Sequence, residues 1–199
     1  MKLKFSPSVA QIQKVSYAKE EEENFLLDCG DGCSPYGCSE KVAQALKDAD
    51  IHDVSAYPHG FALKDAIIRR WQAHVPLTYD MLYLHNSGMD AIACVNTIFA
   101  RPGAAVVGIC PQFSDYLLSA RCHGFVYRPV YLKQEENFRL IPERVVAAID
   151  NAVSLVYLDN PNNPTGQSVT LDSMRMILDK AKEVGALSLI HISEPTRLR

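Results

Sequence analysis

The chain has 199 residues, of which 48% are hydrophobic and 22% are charged, and its net charge is −3. This composition is that of a globular protein with one good core, and the slightly acidic balance gives no sign of a nucleic-acid-binding surface. Because no apolar stretch approaches the ~18 residues needed to cross a bilayer and residues 1–5 lack the apolar core of a secretory signal, we expect a cytoplasmic protein without membrane segments.

Six cysteines are too few for a disulfide scaffold at this length, and in a cytoplasmic protein they stay reduced. Cys29, Cys33 and Cys38 raise the alternative of a metal or iron–sulfur site. Their C-x3-C-x4-C spacing lacks the C-x2-C pairs that are typical of tight thiolate sites, and the nearby imidazoles are limited to His52 and His59. Reduced thiols are therefore the favoured interpretation, and no metal is expected.

From about residue 81 onward, apolar runs of strand length alternate with segments of helical periodicity. The predicted strands are residues 81–84, 104–109, 125–132 and 153–158. The predicted helices are residues 39–47, 61–74, 89–100, 113–122, 142–150 and 171–184. Such alternation predicts an α/β fold with a mainly parallel sheet that has helices on both faces, preceded by a less regular N-terminal arm.

The most specific motif is N-P-N-N-P-T-G at residues 160–166, directly after the last predicted strand. Ligands of open α/β sheets bind beyond the carboxyl ends of strands, so a loop stiffened by two prolines is well placed to hold polar side chains toward a ligand. By composition alone, the segment is a turn. The ordered heptapeptide, however, resembles the N-P-x-N-P-T-G signature of class I and II aminotransferases in the fold-type I pyridoxal-phosphate family.

A second segment that resembles this family lies at residues 86–90, which follow a predicted strand and open a helix. The free N–H groups and the dipole of a helix N-terminus favour an anion. The resemblance implies that this loop holds the cofactor phosphate, through Ser87 and the amides of Gly88 and Met89. Ser87 and Asp90 also have the spacing of a capping box, which needs no ligand, and the two roles are compatible.

The resemblance supplies three more site residues. Residues 110–113 resemble the family's P-x-aromatic element, so Phe113 is expected to stack on the pyridine ring of the cofactor, with a place in the core as the alternative. Asn163 matches the Asn that hydrogen-bonds the phenolic oxygen of the cofactor. Tyr57 and Pro58 resemble a Y-P element whose Tyr reaches the phosphate of the neighbouring subunit, which implies a homodimer with shared active sites.

The first part of the chain is most similar to histidinol-phosphate aminotransferases and the related threonine-phosphate decarboxylases. Residues 27–32 read L-D-C-G-D-G and residues 35–37 read P-Y-G, where the former enzymes have L-D-x-N-E-N-P-x-G. Residues 30–32 depart from N-E-N, and two residues separate them from Pro35. The resemblance implies pyridoxal 5'-phosphate as cofactor and amino-group transfer from an amino acid or amino alcohol phosphate to a 2-oxo acid.

Three catalytic groups of the family do not occur in register: the Asp of D-E-A-Y, the Schiff-base Lys of S-x-x-K, and later Arg residues. Lys180 and Lys182 lie on a helix that we expect to be exposed, and we interpret them as solvated charges. Residues 188–199 resemble a peptide translated from sequencing-adapter DNA, with a divergent native C-terminus as the alternative. We expect residues 1–50 to form an arm and lead-in, residues 51–187 a partial cofactor-binding large domain, and residues 188–199 a non-native tail.

Three other interpretations stay open. Decarboxylation of a phosphorylated amino acid uses the same scaffold, and the groups that decide which bond breaks are mostly missing from this sequence. A non-catalytic cofactor-binding regulator is the second, although only about 24 residues precede the first strand-like segment, too few for a winged helix. The third is a fragment with no stable fold of its own.

Overall fold

The computed structural model describes residues 6–10, 12, 34 and 36–192. Residues 27–33 and Pro35, on which the resemblance to histidinol-phosphate aminotransferases depends, lie outside the described residues, as do residues 193–199. The chain divides into two compact units, one of Val15–Leu84 and the other of Met1–Lys14 with His85–Arg199.

The described part of the Val15–Leu84 unit is helical. After a short helix α1 (Pro7–Ala10), which belongs to the other unit, the helices are α2 (Glu40–Lys47), α3 (Ile51–Ser55) and α4 (Phe61–Trp71). Side chains cap the N-termini of α2 and α3. Ser39 Oγ accepts a hydrogen bond from the N–H of Val42 at 3.3 Å, and Asp50 Oδ1 accepts one from the N–H of His52 at 2.8 Å. The helices predicted at residues 39–47 and 61–74 are confirmed, whereas the short helix α3 was not predicted.

The strand predicted at residues 81–84 is wrong. Tyr79–Met81 form a 3₁₀ turn, which is stabilised by a hydrogen bond of 2.6 Å from Thr78 Oγ1 to Asp80 Oδ1. Met81 and Tyr83 are exposed, and no described strand pairs with this segment. An apolar run of four residues is too short for its periodicity to distinguish a strand from a turn.

The other unit contains a sheet of four parallel strands in the order β2-β1-β3-β4. The strands are β1 (Ala105–Cys110), β2 (Val126–Tyr131), β3 (Val153–Asp159) and β4 (Leu187–His191). The helices are α5 (Gly88–Phe99), α6 (Ser114–Cys122), α7 (Pro142–Ala148) and α8 (Leu171–Glu183), with a 3₁₀ turn at Gln134–Glu136. The predicted α/β fold with a parallel sheet is confirmed, and β4 includes the first residues of the segment expected to be a non-native tail.

Alternating side chains of β1 and β3 contribute to two separate core clusters, because successive residues of a strand point to opposite faces. One cluster, shared with α7 and α8, includes Val107, Val156, Val145 and Ile177. The other, shared with α5 and α6, includes Val106, Leu155, Ile92 and Tyr116. Helices therefore cover both faces of the sheet, as predicted, and the central strand β3 is buried along its whole length.

Lys180 and Lys182, near the end of α8, differ in their surroundings. Lys182 is exposed, as expected. Lys180 is half-buried, and its Nζ donates to Glu183 Oε1 at 2.8 Å in an ion pair at the protein surface. Among the helices that the structure describes, none combines the length and the apolar character of a membrane-spanning segment.

Candidate functional site

The loops singled out from the sequence meet at one edge of the sheet. β1 and β3 are parallel neighbours, so the segments that follow them, with Phe113 and Asn163, lie at the same carboxyl edge. A Cβ added to Gly88 would lie 3.6 Å from Cε1 of His191, the last residue of β4, which places the N-terminus of α5 at this edge too. The N–H of Asn160 donates to the carbonyl of His191 at 3.0 Å. The structure thus places five of the predicted site residues at the same edge of the sheet: Ser87, Gly88, Met89, Phe113 and Asn163.

Ser87 is the N-cap of α5, and its Oγ accepts from the N–H of Asp90 at 3.3 Å. Asp90 Oδ2 accepts from the N–H of Asn86 rather than from that of Ser87, so the expected capping box is only half formed. The amides of Gly88 and Met89 have no acceptor among the residues that the structure describes. This exposed helix start therefore offers two backbone donors and the hydroxyl proton of Ser87 to an anion.

Phe113 is the N-cap residue of α6 and is half-buried. Its ring meets the ring of Tyr116 edge to face, with the centroids 6.3 Å apart, and it packs at the border of the cluster shared with α5 and α6. One part of the ring therefore contributes to the core, and another part is accessible at the carboxyl edge. The two roles considered for Phe113 are compatible in this geometry.

Asn163 has an exposed side chain, and its amide has no hydrogen-bond partner within the described residues. The loop beneath it is well fixed. Asn162 is only 4% exposed. Its Nδ2 donates to the carbonyl of Pro111 at 3.2 Å, and its Oδ1 accepts a hydrogen bond from the N–H of Thr165 at 3.3 Å. Asn160 Oδ1 accepts from the N–H of Val169 at 3.0 Å. The first two Asn side chains of the motif thus hold the loop, and the third is left available.

A set of hydrogen bonds that was not predicted from the sequence connects the loop of Phe113 to the loop of Asn163. Asp159, the last residue of β3, accepts from Gln112 Nε2 on Oδ1 at 2.8 Å and from the N–H of Asn163 on Oδ2 at 2.7 Å. Tyr127 Oη donates to Gln112 Oε1 at 3.0 Å. A carboxylate that directly ends an apolar strand and precedes the N-P-N-N-P-T-G motif was the available sequence signal.

Gly108 in β1 gives these side chains the room they need. A Cβ at this position would lie 2.7 Å from Tyr127 Cζ and 2.8 Å from Gln112 Oε1, and closer still to Tyr127 Oη. Burial is the main reason why the pKa of Tyr127 is raised above its ordinary value, and the nearby Asp159 carboxylate raises it further. The Tyr127 hydroxyl therefore remains a donor at physiological pH.

Tyr57 belongs to the Val15–Leu84 unit and follows α3. It is 89% exposed, so its ring packs against little of the chain that the structure describes. The apolar residues Ile51, Val54 and Phe61, which surround it in sequence, are also exposed. An exposed phenol with exposed apolar residues near it in sequence is suited to contact with another protein surface.

The donors at the carboxyl edge fit a phosphorylated, aromatic cofactor. Two unpartnered helix amides and a hydroxyl suit a phosphate, an accessible aromatic ring suits a flat ring system, and a free amide suits a phenolic oxygen.

In the described part of the chain, no three His, Cys, Asp or Glu residues are grouped as metal ligands would be. Cys38, Cys94, Cys110 and Cys122 are free thiols, while Cys29 and Cys33 lie outside the described residues.

Several known proteins are similar to this chain. Residues 25–191 match the family described as "Aminotransferase class I and II". The chain is 31% identical to histidinol-phosphate aminotransferase of Methanopyrus kandleri over 195 residues, which are 92% of this chain and 50% of the relative. It is 30% identical to the histidinol-phosphate aminotransferase of Anoxybacillus flavithermus over 152 residues, which are 75% of this chain and 39% of the relative. The chain thus spans half the length, or less, of these relatives.

Among solved structures, aspartate aminotransferase from Thermus thermophilus with maleate superposes with a TM-score of 0.61 at 23% identity, covering 65% of this chain and 35% of that one. At this identity the likeness concerns the fold. The parallel sheet and the polar loops beyond its carboxyl edge are those of an open α/β protein, a class whose ligands bind at this edge. With residues 25–191 matched, the chain belongs to the class I and II aminotransferase family.

Proposed function

We propose that the complete protein is a pyridoxal-phosphate-dependent aminotransferase of the histidinol-phosphate type. It transfers an amino group from an amino acid or amino alcohol phosphate to a 2-oxo acid, works in the cytoplasm, and forms a homodimer with shared active sites. The 199 residues form a part that lacks the catalytic lysine, with residues 1–50 as arm and lead-in, 51–187 as partial large domain, and 188–199 as a non-native tail. The meeting of the three loops at the carboxyl edge carries this proposal, because β1 and β3 are parallel neighbours and α5, which packs on this sheet, ends just before the amino end of β1.

In this proposal, pyridoxal phosphate supplies an electron sink, and each residue of this chain has a defined task. Ser87 and the amides of Gly88 and Met89 bind the phosphate, because the start of α5 offers donors to an anion. Phe113 holds the ring plane by stacking, and the amide of Asn163 donates to the phenolic oxygen. Tyr57 of the neighbouring subunit donates a further hydrogen bond to the phosphate.

The relatives support this substrate class over its competitors, because both are named histidinol-phosphate aminotransferases. The test is an assay of the complete protein with histidinol phosphate and 2-oxoglutarate. Formation of glutamate supports the proposal. Release of carbon dioxide from threonine phosphate without glutamate formation would favour the decarboxylase, and cofactor binding without turnover of either would favour the regulator.

For Asn163→Ala in the complete protein, we expect weaker cofactor binding and an upward shift in the pH at which the visible absorption of the bound cofactor changes. The phenolate loses a donor that favours its ionised form. A hydrogen bond to a charged group contributes about 1.5–3 kcal/mol, which corresponds to a shift of about 1–2 pH units. Spectrophotometric pH titration measures this shift.

Asn151→Ala is the matched control for this experiment. Asn151 is also exposed, but it lies two residues before β3 and therefore at the amino edge of the sheet. The same loss of an amide there should leave the titration unchanged. An unchanged or lowered midpoint in Asn163→Ala would show that Asn163 does not contact the phenolic oxygen.

A further inference from the structure

Asp159 is a buried carboxylate between the two loops that carry Phe113 and Asn163. Its side chain belongs to a residue only 2% exposed, and no cation of the described residues forms an ion pair with it. Three N–H groups satisfy it instead, those of Gln112 Nε2, Asn162 Nδ2 and the Asn163 backbone, at 2.8, 3.1 and 2.7 Å. Because an unsatisfied buried carboxylate is very costly, these three donors are held firmly in place.

We propose that Asp159 is a positioning residue that sets the spacing of the two cofactor-binding loops, one through each carboxylate oxygen. Oδ1 holds the loop after β1, which carries Phe113, and Oδ2 holds the loop after β3, which carries Asn163. The inference rests on the proposed function, because it concerns how these loops meet pyridoxal phosphate. Asp159 itself acts through its neighbours and is assigned no contact with the reacting atoms.

The Oδ1 connection has a defined direction. A carboxylate only accepts, so Gln112 must turn its NH₂ toward Asp159 and its carbonyl away from it. That carbonyl accepts from the Tyr127 hydroxyl, which reaches it across Gly108. Gln112 is therefore held from both sides, and the adjacent Phe113 is anchored to the end of β3.

The Oδ2 connection acts on the backbone of Asn163 itself. A hydrogen bond of 2.7 Å holds its N–H, while Asn162 Nδ2 shares the same oxygen and also donates to the carbonyl of Pro111. With the backbone fixed in this way, the free Asn163 amide is presented from a preorganised loop. Loss of Oδ2 leaves the N–H of Asn163 without its acceptor and lets the amide move away from the phenolic oxygen.

Three variants of the complete protein separate the two connections. Asp159→Ala removes both connections. Gln112→Leu removes only the connection through Oδ1, and Asp159→Asn preserves the connection through Oδ2. In Asp159→Asn, Gln112 can flip to accept from the new NH₂, while the Tyr127 hydroxyl rotates to accept from Gln112, and the Tyr157 carbonyl loses the longer hydrogen bond of 3.3 Å from Gln112. Asp179→Ala, at an exposed position on α8, is the matched control.

Two readouts are measured: the dissociation constant of pyridoxal phosphate from the apo-protein, and the pH midpoint of the bound cofactor's absorption. For Asp159→Ala, we expect the dissociation constant to rise about ten- to hundredfold and the midpoint to move upward, as in Asn163→Ala. Gln112→Leu should weaken binding without moving the midpoint. Asp159→Asn should bind within about threefold of the wild type, which is rescue by the conservative variant.

A double variant with Asp159→Ala and Asn163→Ala should have the midpoint of Asn163→Ala alone, because residues that act as one unit are not additive. A role limited to stability would lower the unfolding temperature and leave the midpoint in place, and this result would overturn the inference. If Asp159→Ala does not fold, the other two variants decide. Wild-type affinity of Gln112→Leu for pyridoxal phosphate would also overturn the inference, and so would a tenfold loss of affinity in Asp159→Asn. A wild-type protein that binds no pyridoxal phosphate overturns the proposed function as well, whereas unaffected variants overturn only this inference.

Discussion

Borohydride reduction of the 199-residue chain with pyridoxal phosphate is expected to label several lysines incompletely, and the chain is expected to show no transaminase turnover. Covalent attachment at one position requires a lysine that reaches the carboxyl edge of the sheet. Lys180 and Lys182 stand near the end of α8, a helix of 13 residues that leads into the start of β4. At ~1.5 Å per residue, this helix places them about 14 and 17 Å from its own N-terminus, toward the amino edge.

Lys133 is the remaining lysine of this unit within the described residues. It follows β2, the outer strand, and β1 separates it from β3. Two strand spacings of about 4.8 Å put it roughly 10 Å to the side of the Asn163 loop. None of these three lysines is therefore placed to form a specific bond with a cofactor held by Ser87 and Asn163.

Peptide mapping after reduction is the measurement, with the complete protein as the positive control. In the complete protein we expect one lysine, outside these 199 residues, to carry one equivalent of label. A Lys182→Gln variant of the 199-residue chain should lose the label at that position alone. Stoichiometric labelling of a single lysine in the 199-residue chain, together with turnover, would contradict the assignment of catalysis to a missing part.

The strands and helices of the α/β unit could be predicted because their burial leaves a direct pattern in the sequence. β1 and β3 are covered on both faces, so almost every residue in them is apolar, and each run ends where polar loop residues begin. The same regularity placed the loops that carry Phe113 and Asn163 at strand ends, whereas the strand expected before Ser87 is not among the described strands. Their convergence then follows from the parallel direction of the strands, which brings all carboxyl ends to one edge.

The connection through Asp159 could not be predicted, because it depends on which strands are neighbours. Gln112 and Asp159 are 47 positions apart, and they meet because β1 and β3 pair directly although β2 lies between them in sequence. A single sequence shows the order of the strands along the chain, whereas the order in the sheet is a tertiary property. The wrong strand at residues 81–84 has the related cause that its apolar residues found no partner strand.

Mixed dimers are expected to recover activity that neither parent variant has, if one parent is Tyr57→Phe and the other lacks the catalytic lysine. In such a heterodimer, one site combines the lysine of the first subunit with the Tyr57 of the second and is therefore native. Random exchange between equal amounts of the two variants makes half of the dimers mixed. Each mixed dimer has one native site out of its two sites, so about a quarter of the wild-type activity should return. The assay is run at a cofactor concentration too low to saturate Tyr57→Phe.

The surroundings of Tyr57 support this expectation. A tyrosine that bound a ligand of its own subunit would be expected to pack against that subunit. Tyr57, however, is 89% exposed, and Val54 and Phe61, which are near it in sequence, are exposed apolar residues. Its loss should weaken phosphate binding by about 1.5–3 kcal/mol, the contribution of a hydrogen bond to a charged group, or roughly ten- to hundredfold in affinity.

Tyr36→Phe is the control for the mixed dimers, because Tyr36 is a similarly exposed phenol of the same unit, at 78%. This variant should be fully active without any partner, which separates the loss of a particular hydroxyl from the loss of any surface hydroxyl. Subunit exchange is verified with differently tagged chains, so that failed mixing is recognised. If the tags show mixed dimers and the activity stays at the level of the parents, Tyr57 serves its own subunit or none, and the sites are not shared.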